Sequence, residues 1–405
     1  MPKHLWIFVK QPTNKQLEKA FFKIIMKIGI PTEIKNYESR VAATSETIKK
    51  MIGLGCQVIV QKGAGTRASV TDAAYQAAGA EMVSAKEVFE ADIILKVSAP
   101  EASEIKAMHA GSVLIGLLEP YNLPQLTAIA QQGITAFSLE ALPRNSRAQS
   151  MDVLSSQANV AGYKAVLLGS HFYQRFMPML MTSAGTVKAA RVLILGAGVA
   201  GLQAIATAKR LGAVVEASDV RPAVKEQIES LGAKFLDVPY ESEEEKDTAA
   251  GIGGYARPMP ASWMARQAAL VAQRASEADI VIASALIPGR EPPILIHAET
   301  VAKMKPGSVI IDMAAGSGSM ILGNTGAGNC PLTEANQVIV KHGVTIVGYT
   351  NLPSLVSADA SAFYARNMLE FLKLVISEGK FNMPADDELV TASLMCKDGQ
   401  LTEKQ

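Results

Sequence analysis

A glycine-rich turn is the part of the sequence whose residue types and spacing carry the clearest chemical meaning. Gly196, Gly198 and Gly201 form a G-x-G-x-x-G pattern between an apolar run, RVLIL, and a helical run, GLQAIATAKRLG. The first glycine permits a tight turn, the second lets the backbone approach a pyrophosphate, and the third lets the helix pack closely on the strand. Because the N–H groups and dipole of a helix start favour anions, this turn is predicted to bind the pyrophosphate of a dinucleotide.

An acidic residue follows the glycine-rich turn at the spacing expected of a ribose ligand. Asp219 ends the next apolar run, AVVEASD. A carboxylate at this place accepts hydrogen bonds from both ribose hydroxyls and repels a 2′-phosphate, so the sequence favours NAD(H) over NADP(H). Arg221 lies two residues further on and would weaken this preference, because an arginine side chain is able to bind a 2′-phosphate.

A later apolar run ends in the letters ALIPG, from Ala285 to Gly289. In open α/β sheets ligands lie beyond the carboxyl ends of the strands. We therefore expect Leu286 and Ile287 to line the same cofactor. An ordinary hydrophobic strand end without a ligand is the alternative.

Polar side chains are concentrated in the segment LPRNSRAQSMDVLSSQ, which leads into a long Ala-rich helical run. Five of them are expected to border a cleft between domains and to orient a nicotinamide carboxamide by hydrogen bonds: Arg144, Arg147, Gln149, Asp152 and Ser155. Asp152 and Ser155 are three residues apart and would share one helix face. The alternative is a capped helix start preceded by a solvated loop, which needs no ligand.

A dehydrogenase acting on a hydroxy or amino acid would also need an acid–base group near the reacting carbon. None of the five histidines lies in a motif that indicates catalysis. Lys96 ends the apolar run IILKV and is a candidate, because a buried lysine has a lowered pKa or binds a carboxylate. Arg40 would hold a substrate carboxylate. For both residues the alternative is an ion pair that fastens the first domain.

A long segment in the second half of the chain, YESEEEKDTAAGIGGYARPMPAS, is charged and then glycine-rich. Loops of this length are usually functional lids or disordered. Gly254 would belong to a hinge that lowers the ring of Tyr255 over a bound nucleotide. An insertion without function is the alternative.

Short apolar runs that alternate with helical patterns must position these residues. Such runs indicate parallel strands covered by helices on both faces, which makes the fold class α/β. We predict two Rossmann-like, doubly wound parallel-sheet domains separated by a cleft. Residues 27–152 and 352–400 would form a first, discontinuous domain, and residues 153–351 the NAD-binding domain with six strands. Residues 1–25 are predicted to be an N-terminal extension, to which no function is assigned.

The composition argues against several other classes of function. Lys plus Arg number 39 and Asp plus Glu number 38, so the totals indicate no basic face for nucleic acid. The three cysteines are far apart and suggest neither a disulfide framework nor a metal site. No apolar run reaches the roughly 20 residues that span a bilayer.

These motifs together resemble the NAD(H)-binding alpha component of the proton-translocating NAD(P) transhydrogenases, which are relatives of alanine dehydrogenase. The resemblance extends from Met26 to about Lys397 and includes ILKVSAP, DVRP, GGYA, ALIPG and GYTNLPS. Its most specific portion is the run SRAQSMDVLSSQANVAGYKAV. The sequence departs from the family pattern in a longer insertion, GSGSMILGNTGA, before Gly328, Asn329 and Cys330.

The resemblance implies that the chain is a component of a Re/Si-specific, proton-translocating NAD(P)+ transhydrogenase. It would bind NADH and pass hydride directly to NADP+ on a separate beta component, with coupled proton movement through a membrane domain. The family pattern assigns the dihydronicotinamide to Arg144, Gln149, Asp152 and Ser155; the pyrophosphate to Gly196, Gly198, Val199 and Gly201; the adenosine ribose to Asp219, Val220 and Arg221; and the lid to Gly254 and Tyr255. Arg147 and Leu286 complete the set of expected cofactor contacts.

The same resemblance implies the partners and the location of the chain. A homodimer would bind an NADP(H)-binding beta subunit and a membrane-spanning subunit. It would lie in the cytoplasm, attached to the inner (plasma) membrane through these partners.

Hydride transfer between two nicotinamides needs no acid–base group, so the absence of a recognisable one fits this chemistry. One alternative is an alanine-dehydrogenase-like enzyme, although the segment GLLEPYN lacks the catalytic histidine which that family places there. The other alternative is an NAD-binding module without turnover.

Overall fold

The structure, a computed structural model, describes residues 25–249, 259–286, 291–317 and 328–402. The strands in these ranges are β1 (Lys27–Ile30), β2 (Gln57–Gln61), β3 (Glu81–Val83), β4 (Ile93–Leu95), β5 (Val113–Gly116), β6 (Thr135–Ser138), β7 (Leu180–Thr182), β8 (Gly185–Val187), β9 (Arg191–Leu195), β10 (Val214–Ser218), β11 (Lys234–Phe235), β12 (Ile280–Ala283), β13 (Val309–Asp312), β14 (Val338–Lys341), β15 (Val344–Val347), β16 (Ile376–Ser377), β17 (Lys380–Phe381), β18 (Leu394–Lys397) and β19 (Gln400–Leu401). The α-helices are α1 (Ser45–Gly53), α2 (Asp72–Ala77), α3 (Ala102–Ala107), α4 (Leu123–Gln131), α5 (Val153–Tyr173), α6 (Val199–Arg210), α7 (Lys225–Ser230), α8 (Glu243–Ala249), α9 (Ala261–Glu277), α10 (Ala298–Val301), α11 (Ser357–Val375) and α12 (Glu388–Ser393).

The first sheet has eight strands in the order β19-β18-β6-β5-β4-β1-β2-β3. Strands β1 to β6 are parallel, whereas β18 and β19 add an antiparallel edge beside β6. The middle strand β4 is buried at every position: Ile93 and Leu95 pack in one hydrophobic cluster and Ile94 in another. Both faces of the sheet are therefore covered, as the apolar runs predicted.

The second sheet has seven strands in the order β11-β10-β9-β12-β13-β15-β14. Its first six strands are parallel and follow the 3-2-1-4-5-6 order of a dinucleotide-binding sheet. They are the six strands predicted from the sequence. The α/β fold class with two Rossmann-like domains is thus confirmed.

The antiparallel edge strand β14 was not predicted. It forms a hairpin with β15 in which Lys341 pairs with Val344, so that only two residues connect the strands. These two, His342 and Gly343, both have positive φ, which is the geometry of the tight turns favoured in hairpins. The glycine between two apolar, β-branched runs was the local signal for this strand.

Helix α5 connects the two sheets, and its packing shows which way it points. A Cβ built on Gly169 would lie 2.9 Å from Cγ2 of Ile280, the first residue of β12. A Cβ built on Gly162 would lie 2.1 Å from the carbonyl oxygen of Ala200, in the first turn of α6. Helix α5 therefore runs antiparallel to the strands, and its N-terminal end projects beyond the carboxyl edge of the second sheet.

The segment after Tyr349, for which the sequence indicated two helices, forms a short 3-10 turn at Pro353–Val356 and then one long helix, α11. No glycine or proline interrupts the run from Ser357 to Val375, so nothing in it breaks the helix. The hydroxyl of Tyr364 in α11 donates to the carbonyl oxygen of Lys96 at 2.7 Å, which seats this helix on the first sheet. No helix in the described ranges has both the length and the apolar character needed to cross a membrane.

Candidate functional site

The carboxyl edge of the second sheet brings several of the predicted residues together. Leu195 at the end of β9 is in register with Ser218 at the end of β10 and with Ala283 at the end of β12. The residues that follow, Gly196 and Asp219 among them, therefore leave the sheet side by side. The strand order reverses at β9, and this reversal is where open α/β sheets form a ligand-binding crevice.

Two of the three glycines in the turn are required by close packing. Gly196 has φ +91°, a conformation that other residues rarely adopt, and its carbonyl oxygen accepts a hydrogen bond of 3.0 Å from the Ser284 hydroxyl. A Cβ built on Gly201 would lie 1.9 Å from that same oxygen. The first turn of α6 therefore sits directly on the turn that follows β9.

The second glycine differs from the other two because space lies beside it. Gly198 is the N-cap of α6, and within the described residues no side chain makes the capping hydrogen bond. A Cβ built on Gly198 would meet no atom within 4 Å. This open space at the positive end of a twelve-residue helix fits a pyrophosphate, with Val199 as the first helical residue beside it.

The carboxylate of Asp219 is buried and connects the turn to the end of β10. Its Oδ2 accepts from the N–H of Ala197 at 2.8 Å, and the Arg221 guanidinium donates to both oxygens at 3.0 Å. Asp219 thus anchors the glycine-rich turn as well as standing at the ribose position. Val220 packs beside it on a small cluster around Trp263, and Leu286 is more than half exposed past the end of β12.

The polar segment before α5 lies on the same side as the glycine-rich turn. Asp152 caps α5: its side chain accepts from the N–H of Ser155 at 2.8 Å and also from the Ser155 hydroxyl. The predicted capped helix start is therefore present. Ser155 precedes Gly162 by seven residues, which places it about 10 Å along the helix from the contact with Ala200. Gln149 and Arg144 are exposed in the turn and loop that lead into this cap.

Arg147 is placed apart from the other polar residues of this segment. Its guanidinium pairs with Asp387, the N-cap of α12, on the surface of the first domain. Asn367 of α11 was not predicted, yet its Nδ2 donates to the carbonyl oxygen of Ser150 at 2.7 Å and holds the turn that carries Gln149. No local sequence signal marks an asparagine inside a regular helix for this role.

Some predicted positions fall outside the described ranges. They are Gly254, Tyr255 and Ile287, together with most of the insertion before Gly328. Nothing in the described structure tests the lid or that insertion.

Lys96 and Arg40, the candidate substrate ligands, form the ion pairs that were the structural alternative. Lys96 Nζ lies 2.7 Å from Glu104 and 3.1 Å from Glu33, and all three side chains are buried. Arg40 donates to both oxygens of Glu38. Burial acts to lower the pKa of Lys96, but the charges of Glu33 and Glu104 outweigh it and raise that pKa. Lys96 is therefore a charged structural group rather than a base.

A doubly wound sheet with an open glycine-rich turn at its switch point, joined to a second α/β domain, defines a two-domain nucleotide-binding protein of the dehydrogenase type. The comparisons with known proteins specify the family. The model of the alanine dehydrogenase/PNT N-terminal domain matches residues 29–161, and that of the C-terminal domain matches residues 165–404. The chain belongs to the alanine dehydrogenase/PNT family.

Individual relatives lie on both sides of this family. The chain is 48% identical over 388 residues to an NAD(P) transhydrogenase subunit alpha chain of Rhodospirillum rubrum, with 93% of this chain and 97% of that one covered. The crystal structure of transhydrogenase from Sinorhizobium meliloti superposes with a TM-score of 0.82 at 43% identity, covering 93% of this chain and all of that one. An L-alanine dehydrogenase structure gives 0.73 at 25% identity, over 93% and 96%. The chain is thus more similar to the transhydrogenase members.

Proposed function

We propose that the chain is the NAD(H)-binding component of a proton-translocating NAD(P) transhydrogenase. The observation that carries the proposal is the 48% identity, over nearly the full length of both chains, to a transhydrogenase alpha subunit. In this proposal residues 153–351 form the NAD-binding domain, and residues 27–152 with 352–400 form the domain that closes the cleft. NADH supplies a hydride that passes directly to NADP+ on a partner subunit, without a proton being added or removed.

The residues of the chain then act by holding and aligning the dinucleotide. Gly196, Gly198, Val199 and Gly201 hold the pyrophosphate, and Asp219, Val220, Arg221 and Leu286 surround the adenosine side and the strand end. Arg144, Gln149, Asp152 and Ser155 orient the carboxamide of the nicotinamide, with Arg147, Gly254 and Tyr255 as further contacts. Alignment of two reacting centres supplies several kcal/mol of catalysis, so no acid–base residue is required.

Replacement of Gln149 by asparagine is expected to slow hydride transfer far more than it weakens NADH binding. The shortened side chain keeps the amide but no longer reaches the carboxamide, and misplacement by about 1 Å costs on the order of a hundredfold in rate. Single-turnover transfer and NADH titration measure the two effects separately. Gln131→Asn is the matched control, because Gln131 is exposed at the end of α4, a helix that packs beside the edge strand β19 of the first sheet. Equal losses of rate and binding in the Gln149 variant would contradict a positioning role.

The proposal includes a homodimer that binds an NADP(H)-binding subunit and a membrane-spanning subunit. The chain would be cytoplasmic and attached to the membrane through these partners. The hairpin of β7 and β8 supports a dimer surface: Met179 and Met181 are exposed beside it, by 61% and 74%. An apolar patch on an exposed hairpin is typical of a protein interface.

Replacement of Met181 by aspartate is expected to shift the protein from dimer to monomer, because a charge would be buried at the contact without a partner. Sedimentation velocity at micromolar concentration measures the mass. Leu123→Asp serves as the control, since Leu123 is equally apolar and 60% exposed on the first domain. A Met181 variant that stays dimeric, or a control that also dissociates, would rule out the hairpin as the dimer surface.

An alanine-dehydrogenase-like reaction is the second candidate, and the ion pairs argue against it. Arg40 and Lys96 would have to bind the substrate in that reaction, but both are occupied by Glu38, Glu33 and Glu104. We expect no pyruvate- and ammonia-dependent oxidation of NADH by the isolated chain at millimolar substrate. Turnover under those conditions would favour the dehydrogenase instead.

A further inference from the structure

Asn329 joins two stretches of the chain on either side of the segment that follows β12. Its side chain is fully buried, and its Nδ2 donates to the carbonyl oxygens of Ala285 and Pro293, both at 2.8 Å. Its own backbone carbonyl oxygen accepts from the N–H groups of Leu295 at 2.9 Å and Ile296 at 3.1 Å. One residue therefore fixes both flanks of residues 286–292.

Asn329 is itself held rigidly from the end of β13. The buried carboxylate of Asp312 accepts from the N–H groups of Asn329 and Cys330, each at 3.0 Å, and from the Thr333 hydroxyl at 2.7 Å. A Cβ built on Gly328 would lie 2.3 Å from Asp312 Oδ1, so only glycine permits this approach. The side-chain amide of Asn329 is thus presented from a fixed backbone.

The carbonyl that Asn329 holds belongs to a residue beside the glycine-rich turn. A Cβ built on Gly196 would lie 3.2 Å from the backbone nitrogen of Ala285 and 3.0 Å from Ser284 Oγ. The end of β12 therefore forms one wall of the turn that follows β9. The contacts run without a gap from Asp312 through Asn329 and Ala285 to Gly196.

We propose that Asn329 is a positioning residue for NAD(H), whose amide sets the end of β12 against the glycine-rich turn. The proposal rests on the proposed NAD(H)-binding function. Both N–H donors of one amide are used on two carbonyls that other groups would leave unpaired in the interior. Loss of these donors lets Ala285 move relative to Gly196, and the dinucleotide then loses one side of its binding crevice.

The variant Asn329→Asp tests this directly, because it keeps the shape of the side chain but removes both N–H donors. We expect the dissociation constant for NADH to rise about tenfold, the loss caused by unpairing buried polar groups. Thr333→Val is the matched control: it removes a buried hydrogen bond to the same Asp312 and leaves the Asn329 amide in place. It is expected to lower the melting temperature without changing NADH affinity.

Unchanged NADH binding in Asn329→Asp would overturn the proposal, and so would an equal loss in Thr333→Val, which would indicate general loosening. If Asn329→Asp does not fold, hydrogen exchange of the unmodified protein decides. Because coupling between sites is reciprocal, NADH should slow exchange at the amides of Leu295 and Ile296. No slowing there, with slowing at the glycine-rich turn, would contradict the role of Asn329. Failure of the unmodified protein to bind NADH would instead count against the proposed function.

Discussion

Replacement of Gly198 by alanine is expected to weaken NADH binding about hundredfold, or about 3 kcal/mol, while the free energy of unfolding stays unchanged. Gly198 has φ −75°, which alanine adopts without strain, and its Cβ would meet no protein atom within 4 Å. The added methyl group would fill the space in which the pyrophosphate approaches the backbone. NADH titration and denaturant unfolding measure the two quantities on the same preparation.

Two other glycines give matched controls for this result. Gly201→Ala should lower both NADH affinity and stability, because its Cβ would lie 1.9 Å from the Gly196 carbonyl oxygen. Gly53→Ala, at the end of α1, should change neither quantity, since its Cβ also meets nothing within 4 Å and lies far from the turn in the first domain. Normal NADH binding by Gly198→Ala would show that the open space at α6 is not the dinucleotide site.

Replacement of Lys96 by methionine is expected to lower the free energy of unfolding by about 3–5 kcal/mol, because removal of one buried partner leaves the other charges uncompensated. Glu33 and Glu104 are only 2% and 4% exposed and both contact the Lys96 ammonium group. Urea unfolding at neutral pH measures the loss. Lys50→Met, which breaks an exposed pair with Glu46 on α1, should leave stability nearly unchanged.

The loss of stability in Lys96→Met should also depend on pH. Burial raises the pKa of Glu33 even with Lys96 present, and without Lys96 this effect is no longer opposed by a positive charge. The folded state then holds a proton that the unfolded state releases above its ordinary carboxyl pKa. Stability therefore falls as pH rises from the ordinary carboxyl pKa through the raised one, and it recovers as pH is lowered again. A variant equally destabilised at pH 5 and pH 8 would contradict this account of the cluster.

The architecture could be predicted because buried parallel strands have a strong sequence signature. The runs RVLIL and VIID are apolar at nearly every position, and they became β9 and β13 in the middle of the second sheet. The glycine pattern was equally informative, since backbone contacts as close as that between Gly201 and Gly196 admit only one residue type. Local chemistry alone specified these features.

The elements that sequence reasoning missed lie at edges or depend on distant contacts. Strand β14 is mostly exposed, so its apolar pattern is weak, and β18 joins the first sheet only through pairing with β6 from the other end of the chain. Asn367 and Asn329 act through hydrogen bonds to Ser150 and Ala285, residues remote in sequence. No local pattern encodes such pairs, because they exist only once the chain has folded.

The ion pairs in the first domain show how one motif allows two meanings. The letters IILKV place a lysine at a strand end, which suits either a substrate ligand or a structural cation. The three-dimensional structure decides between them, since Glu33 and Glu104 converge on Lys96 from two other stretches of the chain. Both interpretations were available from the sequence, but only the positions of the carboxylates distinguish them.

Direct hydride transfer is the central claim, and an isotope experiment tests it most directly. The chain is mixed with NADH carrying deuterium at both C4 positions, with NADP+ and with the NADP(H)-binding subunit of a related transhydrogenase. Mass spectrometry of the NADPH formed in ordinary water then shows the origin of its new hydrogen. We predict one deuterium in every NADPH molecule formed. NADPH without deuterium, or no NADPH although both nucleotides bind, would contradict the proposed function.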